Sequence, residues 1–122
     1  MCNLEGRLLY AVPRIRIETS DGISVKGKTE RNEELIRYTE EICKALKFIG
    51  PINLQFKLDY AGKPKLVEIN PRFSGGLPIT AAAGINPLEI LIDVINRKEI
   101  EKNRVEWKEI ETSNETIRRL KE

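Results

Sequence analysis

Ile52-Asn53-Leu54-Gln55-Phe56-Lys57-Leu58-Asp59-Tyr60-Ala61-Gly62-Lys63-Pro64-Lys65-Leu66-Val67-Glu68-Ile69-Asn70-Pro71 decides the fold. Ile52, Leu54, Phe56 and Leu58 alternate with Asn53, Gln55, Lys57 and Asp59, the period-two pattern of a strand with one apolar and one polar face. Tyr60-Ala61-Gly62-Lys63 supplies turn chemistry, and Lys65 to Asn70 returns with Val67 and Ile69 on one face and Glu68 and Asn70 on the other. A four-residue loop pairs Asp59 with Pro64, which sets Gln55 opposite Glu68 and Asn53 opposite Asn70. A two-residue Gly62-Lys63 loop shifts the pairing by two. Only an odd slip turns side chains to the other face, so either loop leaves Gln55, Glu68 and Asn70 together within cross-strand reach.

Upstream of this hairpin, Leu35, Tyr38, Ile42, Leu46 and Ile49 recur at helical steps, with Thr29 or Asn32 as cap and Gly50-Pro51 as the stop. Before that helix, Arg14-Ile15-Arg16-Ile17-Glu18 alternates as a strand and Ser20-Asp21-Gly22 turns it into a second extended piece, Ile23 to Lys26. Asn3-Leu4-Glu5-Gly6 reads as a turn followed by a strand from Arg7 to Val12, so the chain is expected to begin inside a hairpin. Downstream, Pro78 opens a short helical turn through Ala81, Ala82 and Ala83 to Gly84. Asn86-Pro87 caps and starts a helix carrying Leu88, Leu91, Ile92 and Ile95. From Lys98 the chain is strongly charged, with a short strand expected at Val105 to Ile110 and a fraying helical tail capped by Ser113 or Asn114. The expected organisation is one α+β unit over residues 1–97, an antiparallel sheet packed with helices, and a charged extension over 98–122.

Composition narrows the chemistry. With 122 residues there is room for one domain with its own core. Twenty-one Lys and Arg against 19 Asp and Glu leave a net charge of +2, which argues against nucleic-acid or membrane partners. Histidine is absent, excluding His-based acid/base chemistry, Ser-His and Cys-His nucleophiles and His-ligated zinc. Cys2 and Cys43 lie far apart in sequence and form no metal-type pair; buried free thiols are expected rather than a disulfide, which suits a reducing cytoplasm. No apolar run approaches the length of a membrane span and no signal-peptide layout is present, so a cytoplasmic location is expected.

The Gln55 amide, the Glu68 carboxylate and the Asn70 amide form an all-oxygen set of the kind that suits Mg²⁺ or Mn²⁺, ions that keep waters and share their shell with phosphates. By spacing alone these residues also describe the solvent face of a sheet. Arg72 adds a planar fork matched to phosphate or carboxylate, and Ser74, Gly75 and Gly76 offer backbone N–H groups to an anion. Pro71 ends the strand directly after Asn70, so the polar groups gather at a strand end beside a glycine-rich loop, a usual place for ligand sites.

Gly50-Pro51-Ile52-Asn53-Leu54-Gln55-Phe56, then Val67-Glu68-Ile69-Asn70-Pro71-Arg72-Phe73-Ser74-Gly75-Gly76, then Ala83-Gly84-Ile85-Asn86, resemble the C-terminal part of an ATP-grasp domain of the carbamoyl-phosphate-synthase-like kind. The resemblance covers residues 7 to 96. It implies that Gln55, Glu68 and Asn70 hold the divalent ions bridging ATP phosphates, and that Arg72 sits near the transferred phosphoryl group. Lys26, Arg14 and Arg16 become secondary candidates for phosphate contacts, with solvated surface charge as the alternative for each. Enzymes of this kind use ATP to phosphorylate a carboxylate or bicarbonate, and an amine or ammonia then displaces the phosphate. Such chemistry needs positioning and charge neutralisation more than a nucleophilic side chain, so the absence of histidine is no obstacle. The expected function is therefore the metal- and phosphate-binding half of an ATP-dependent ligase, partnered by a missing N-terminal half. The alternative is a catalytically inactive module for docking or homo-oligomerisation, because a truncated sheet exposes an unpaired edge and apolar area.

Overall fold

Antiparallel pairing organises this chain twice, once in each of two units. The structure is a computed structural model and describes residues 1–121. In chain order the elements are β1 (Arg14–Ser20), β2 (Ile23–Thr29), α1 (Glu33–Leu46), β3 (Asn53–Leu58), β4 (Pro64–Asn70), α2 (Leu77–Ala82), α3 (Pro87–Ile95), a 3₁₀ turn (Lys102–Val105), β5 (Glu111–Ser113) and α4 (Asn114–Lys121). The expected α+β class holds. The first unit comprises Met1–Ala11 and Glu33–Ser74; the second comprises Val12–Asn32 and the chain from Gly75 on. No helix among the described residues is long and apolar enough to cross a membrane.

In the first unit, α1 carries Glu33 and Glu34 in its first turn and Lys44 in its last, charges that complement the helix dipole. It stops three residues earlier than the glycine signal predicts. Lys47 takes the left-handed position that ends the helix, with φ 52°, and its N–H reaches the Cys43 carbonyl at 2.8 Å. Gly50 is used elsewhere: at φ 81° it exchanges two backbone hydrogen bonds with Cys2, of 2.9 and 3.0 Å. Leu46 and Ile49, expected on the buried face, are consequently exposed.

The Asn3-to-Gly6 turn forms, with the Asn3 carboxamide oxygen accepting from the N–H groups of Glu5 and Arg7 at 3.0 and 2.9 Å. The expected strand from Arg7 to Val12 does not. Pairing there consists of the Cys2–Leu8 bridge and flanking bonds such as Leu9 N–H to the Met1 carbonyl. Gly6 adopts φ 77°, and a Cβ there would sit 3.1 Å from Lys47 Cα, so both backbone conformation and space require glycine.

In the second unit β2 lies between β1 and β5, all antiparallel. Asp21 and Gly22 both have positive φ, 50° and 77°, the paired left-handed geometry of a two-residue hairpin turn whose twist suits the strands. Thr29 is buried and does not cap α1. Its hydroxyl donates to the Lys108 carbonyl at 2.7 Å and accepts from Ile110 N–H at 2.9 Å. This anchors an extended segment ahead of β5. The expected strand at Val105 to Ile110 is thus displaced to Glu111–Ser113, while Lys102–Val105 turns as 3₁₀. Ser113 Oγ accepts from Thr116 N–H at 3.1 Å, the capping bond anticipated for the last helix.

Asn86 caps α3 as read, its side chain accepting from Glu89 N–H at 3.3 Å, and Pro87 occupies the first helical position. The buried face differs from expectation. Ile90 and Val94 are buried with Ile79, Ala83 and Ile85, whereas Leu88, Ile92 and Ile95 are exposed. A helix that is apolar on nearly every side, PLEILIDVI, lets periodicity choose either stripe. Arg104 settles the polar flank, with Nη1 3.2 Å from Asp93 Oδ2 and Nη2 3.6 Å from Glu89 Oε2.

Two outcomes test this architecture. Ile90→Ala is expected to cost about 2–5 kcal/mol in denaturant unfolding, and Ile92→Ser to stay within about 0.5 kcal/mol, the reverse of what the sequence pattern assigns. The Asp59 carboxylate accepts the N–H groups of Lys63 and Ala61, both at 2.9 Å, and the Lys63 bond leads in holding its pKa below the ordinary value. A depressed folded-state pKa stabilises above the unfolded value and is lost as pH falls through the folded one. Asp59→Ala should therefore melt lower than the parent at neutral pH, the gap closing below about pH 4 in thermal scans.

Candidate functional site

The hairpin β3–β4 places the predicted oxygen donors by its register. Gln55 pairs directly with Glu68, and Asn53 with Asn70, so Gln55, Glu68 and Asn70 share one face as expected. The route to that register is different. Asp59 N–H bonds to the Lys63 carbonyl and Gly62 N–H to the Asp59 carbonyl, both at 2.9 Å, closing a three-residue loop with Gly62 left-handed at φ 78°. This loop is odd, where both lengths considered from sequence were even. Leu58 accordingly faces Pro64 and Phe56 faces Leu66, one residue out of step with the pairs further along. The step is taken up by a bulge between the Phe56–Leu66 and Gln55–Glu68 pairs, with Val67 as the extra residue. The apolar face therefore contains Leu66 with Ile69, while Val67, expected there, is 55% exposed.

The polar face is graded along its length. Toward the turn it carries the Lys57–Lys65 pair, with Lys65 Nζ 3.7 Å from Asp59 Oδ2; toward Pro71 it carries the amides and the carboxylate. Glu68 is exposed, and Gln55 and Asn70 are half-buried. Asn70 Nδ2 is buried and has no hydrogen-bond partner among the described residues. Leaving such an amide unsatisfied costs free energy unless water or a ligand pairs with it. Turning the amide over puts its oxygen at the same point. Asn53, opposite Asn70, is a further oxygen-bearing side chain here; the alternation exposes it, although the sequence reading left it out of the ligand set.

Arg72 follows on the loop. Its N–H bonds to the Asn70 carbonyl at 2.8 Å, and its Nη1 donates to the Phe73 carbonyl at 3.0 Å, leaving an exposed guanidinium held against its own loop. Ser74 is half-buried.

The remaining candidates lie in the second unit. Gly75 is exposed, while Gly76 is buried at the N-cap of α2 with φ −84° and accepts Ile79 N–H at 3.0 Å. Arg14, the first residue of β1, lies against Gly76: a Cβ added there would be 2.6 Å from Arg14 Nη1, an atom that is itself buried. The sequence reading named Arg14 and the glycines separately, and no local pattern signals that they meet. Arg16 pairs with Gly27 and is exposed. Lys26 Nζ is 3.8 Å from Glu111 Oε1, so part of its charge is offset by β5.

No group of three or more His, Cys, Asp or Glu side chains among the described residues is placed to hold a metal ion. A cation at the hairpin would thus rely on one carboxylate with carboxamides and water. That donor set fits Mg²⁺ or Mn²⁺, hard ions that take oxygen and retain part of their hydration.

Known proteins resemble this chain along most of its length. It is 32% identical over 104 residues to the carbamoyl phosphate synthase large chain of Caldanaerobacter subterraneus subsp. tengcongensis, an alignment covering 81% of this chain and 10% of that protein. The large chain from a Thermoanaerobacter species is 31% identical with the same coverage. The arginine-specific large chain of Halalkalibacterium halodurans is 38% identical over 69 residues, 56% of this chain and 6% of the relative. The chain thus spans at most about a tenth of the length of these relatives. Residues 1–117 match the family described as ATP-grasp in the biosynthetic pathway with Ter operon, and with that match running nearly end to end the chain belongs to the ATP-grasp family.

Proposed function

We propose that this chain is the metal- and phosphate-binding portion of an ATP-dependent ligase that activates a carboxylate or bicarbonate for attack by an amine or ammonia. The observation that carries the reading is the hairpin face. Gln55 and Glu68 stand directly opposite each other, Asn70 follows two residues on, and the Nδ2 position of its carboxamide, which the oxygen takes when the amide is turned over, is buried with no hydrogen-bond partner among the described residues. Family membership and the carbamoyl phosphate synthase relatives support ATP as the nucleotide.

Gln55, Glu68 and Asn70 would hold the divalent cation, which when bound neutralises phosphate charge during phosphoryl transfer. Arg72, one peptide beyond the strand end, is the candidate to meet the transferred phosphoryl group. Its bond to the Phe73 carbonyl is a single neutral-acceptor contact, weaker than the charge-assisted pair a phosphate would offer, so exchange of partners is favourable. Ser74 on the same loop and Gly75 at the head of the second unit are candidates for anion contacts. In the second unit Arg14, Arg16 and Lys26 are the cationic candidates. Arg14 is the most constrained of them, since Gly76 and the guanidinium occupy adjoining space.

Two experiments bear on this reading. Mn²⁺ binding, followed by electron paramagnetic resonance with and without ATP, should weaken about tenfold or more in Glu68→Gln, while the melting temperature stays near the parent value because the carboxylate is exposed. Unchanged Mn²⁺ affinity in that variant refutes the assignment. In the second unit, Gly76→Ala should displace the Arg14 guanidinium at a cost of no more than about 1 kcal/mol, because the colliding atom is the far end of a flexible side chain, and that loss should disappear in the Gly76→Ala/Arg14→Ala double variant when both are compared by urea unfolding.

A further inference from the structure

We propose that the outer face of α3 is an interface between two copies of this chain, which pair their α3 helices antiparallel about a two-fold axis. The inference is independent of the ATP-dependent reading and rests on the second unit alone. α3 buries Ile90 and Val94 and leaves Leu88, Ile92 and Ile95 exposed by 55%, 56% and 62%, with Leu91 half-buried beside them. Steps of four and three residues put Leu88, Ile92 and Ile95 in one stripe along the helix. Large apolar side chains gathered in water are unfavourable, and patches of this kind rimmed by charge mark interaction surfaces. One flank of the stripe is such a rim. Arg104 lies 3.6 Å from Glu89 and 3.2 Å from Asp93, and Lys98 Nζ is 4.0 Å from Asp93. A cavity of about 230 Å³ opens between Glu89, Ile92, Asp93 and Arg104, beside the stripe.

The stripe is complementary to itself, which selects a second copy as its occupant. A two-fold axis passing between Leu91 and Ile92 sets Leu88 against Ile95 of the second copy and Leu91 against Ile92, so each apolar match is made twice. Charge follows the same symmetry. Glu89 lies in the first turn of α3 and Arg97 just beyond its last residue. In the antiparallel pair each Glu89 faces Arg97 of the second copy and the helix dipoles oppose, whereas a parallel pair sets Glu89 on Glu89 and Arg97 on Arg97. Arg97 is exposed, and its guanidinium has no ion pair or hydrogen bond among the described residues. Its backbone is left-handed at φ 55°, a position that glycine fills without strain, yet the chain carries a long cation there. Glu89 keeps 64% of its side chain exposed and meets Arg104 only at long range, so its carboxylate accepts a second cation. With nine residues α3 is about 14 Å long, so the interface is small and the association weak and reversible. Unfolding at low concentration therefore reads the separate chain.

Sedimentation equilibrium of the full chain over about a hundredfold concentration range tests the pairing. The parent is expected to pass reversibly from monomer to dimer as concentration rises. Ile92→Arg should stay monomeric throughout, with a melting temperature near the parent's because Ile92 is exposed. Glu89→Lys and Arg97→Glu should each weaken dimerisation about tenfold, since each puts like charges together at both symmetry-related contacts. Mixing these two single variants joins opposite charges at both contacts again, and a heterodimer about as tight as the parent's dimer should form. Neither a parallel pair nor a different face gives that rescue. If a charge variant fails to fold, the parent and Ile92→Arg decide alone. A parent that stays monomeric, dimers that survive Ile92→Arg, charge variants that associate as the parent does, or single variants that do not rescue each other each overturn the proposal.

Discussion

Side-chain parity in the β3–β4 hairpin is the constraint on which the candidate site depends. A strand has two faces and nothing between them, so a one-residue slip would carry Glu68 to the apolar side and Leu66 or Ile69 into water. The turn introduces that slip, because Asp59, Gly62 and Lys63 close a three-residue loop rather than an even one. Val67 removes it by bulging out of the ladder. Turn and bulge are thus complementary: the loop that satisfies the Asp59 carboxylate with two N–H donors is tolerable only because one apolar residue is released to the surface. A bulge also bends and twists its strand, which concentrates the change of direction next to Glu68 and Asn70.

The face of each donor was legible in the sequence because alternation is a property of consecutive residues. Asn53, Gln55, Glu68 and Asn70 needed only correct parity. The bulge was not legible, since Val67 and Leu66 are both apolar and either satisfies an apolar face. The same degeneracy explains α3. Leu88, Leu91, Ile92 and Ile95 make a good helical stripe, but so do Pro87, Ile90 and Val94, and only burial in the folded unit, where Ile79 and Ile85 are also buried, chooses. Where one residue type carries a specific geometry, as with Asp21-Gly22 or Asn86-Pro87, the reading held to the residue.

Signals were misplaced where one residue could serve two purposes. Gly50 suits a helix end, yet its left-handed backbone is used for the bridge to Cys2, and Lys47 accepts the strained position instead. Thr29 suits a cap, yet its hydroxyl is taken by Lys108 and Ile110, far along the chain. Non-local partners outbid local ones here because burial raises the cost of leaving a hydroxyl unsatisfied, and an exposed helix end can use water. The shift of β5 to Glu111–Ser113 follows from the same contact, which fixes where the chain can next pair with β2.

The first unit sorts its candidate ligands by hardness as well as by burial. Carboxylate and amide oxygens stand on the accessible face of the hairpin, while both thiols are enclosed. The separation has a chemical consequence. A hard cation that keeps its water gains most at a half-exposed oxygen site, whereas thiols there would attract softer metals and oxidants. With no histidine in the chain, borderline ions such as zinc find no imidazole at the oxygen site either, and no thiolate on that face. Selectivity for a hard divalent ion at the hairpin, under the proposed function, would therefore not require a closely fitted cage. It would follow from which donors the fold admits to that face and which it encloses.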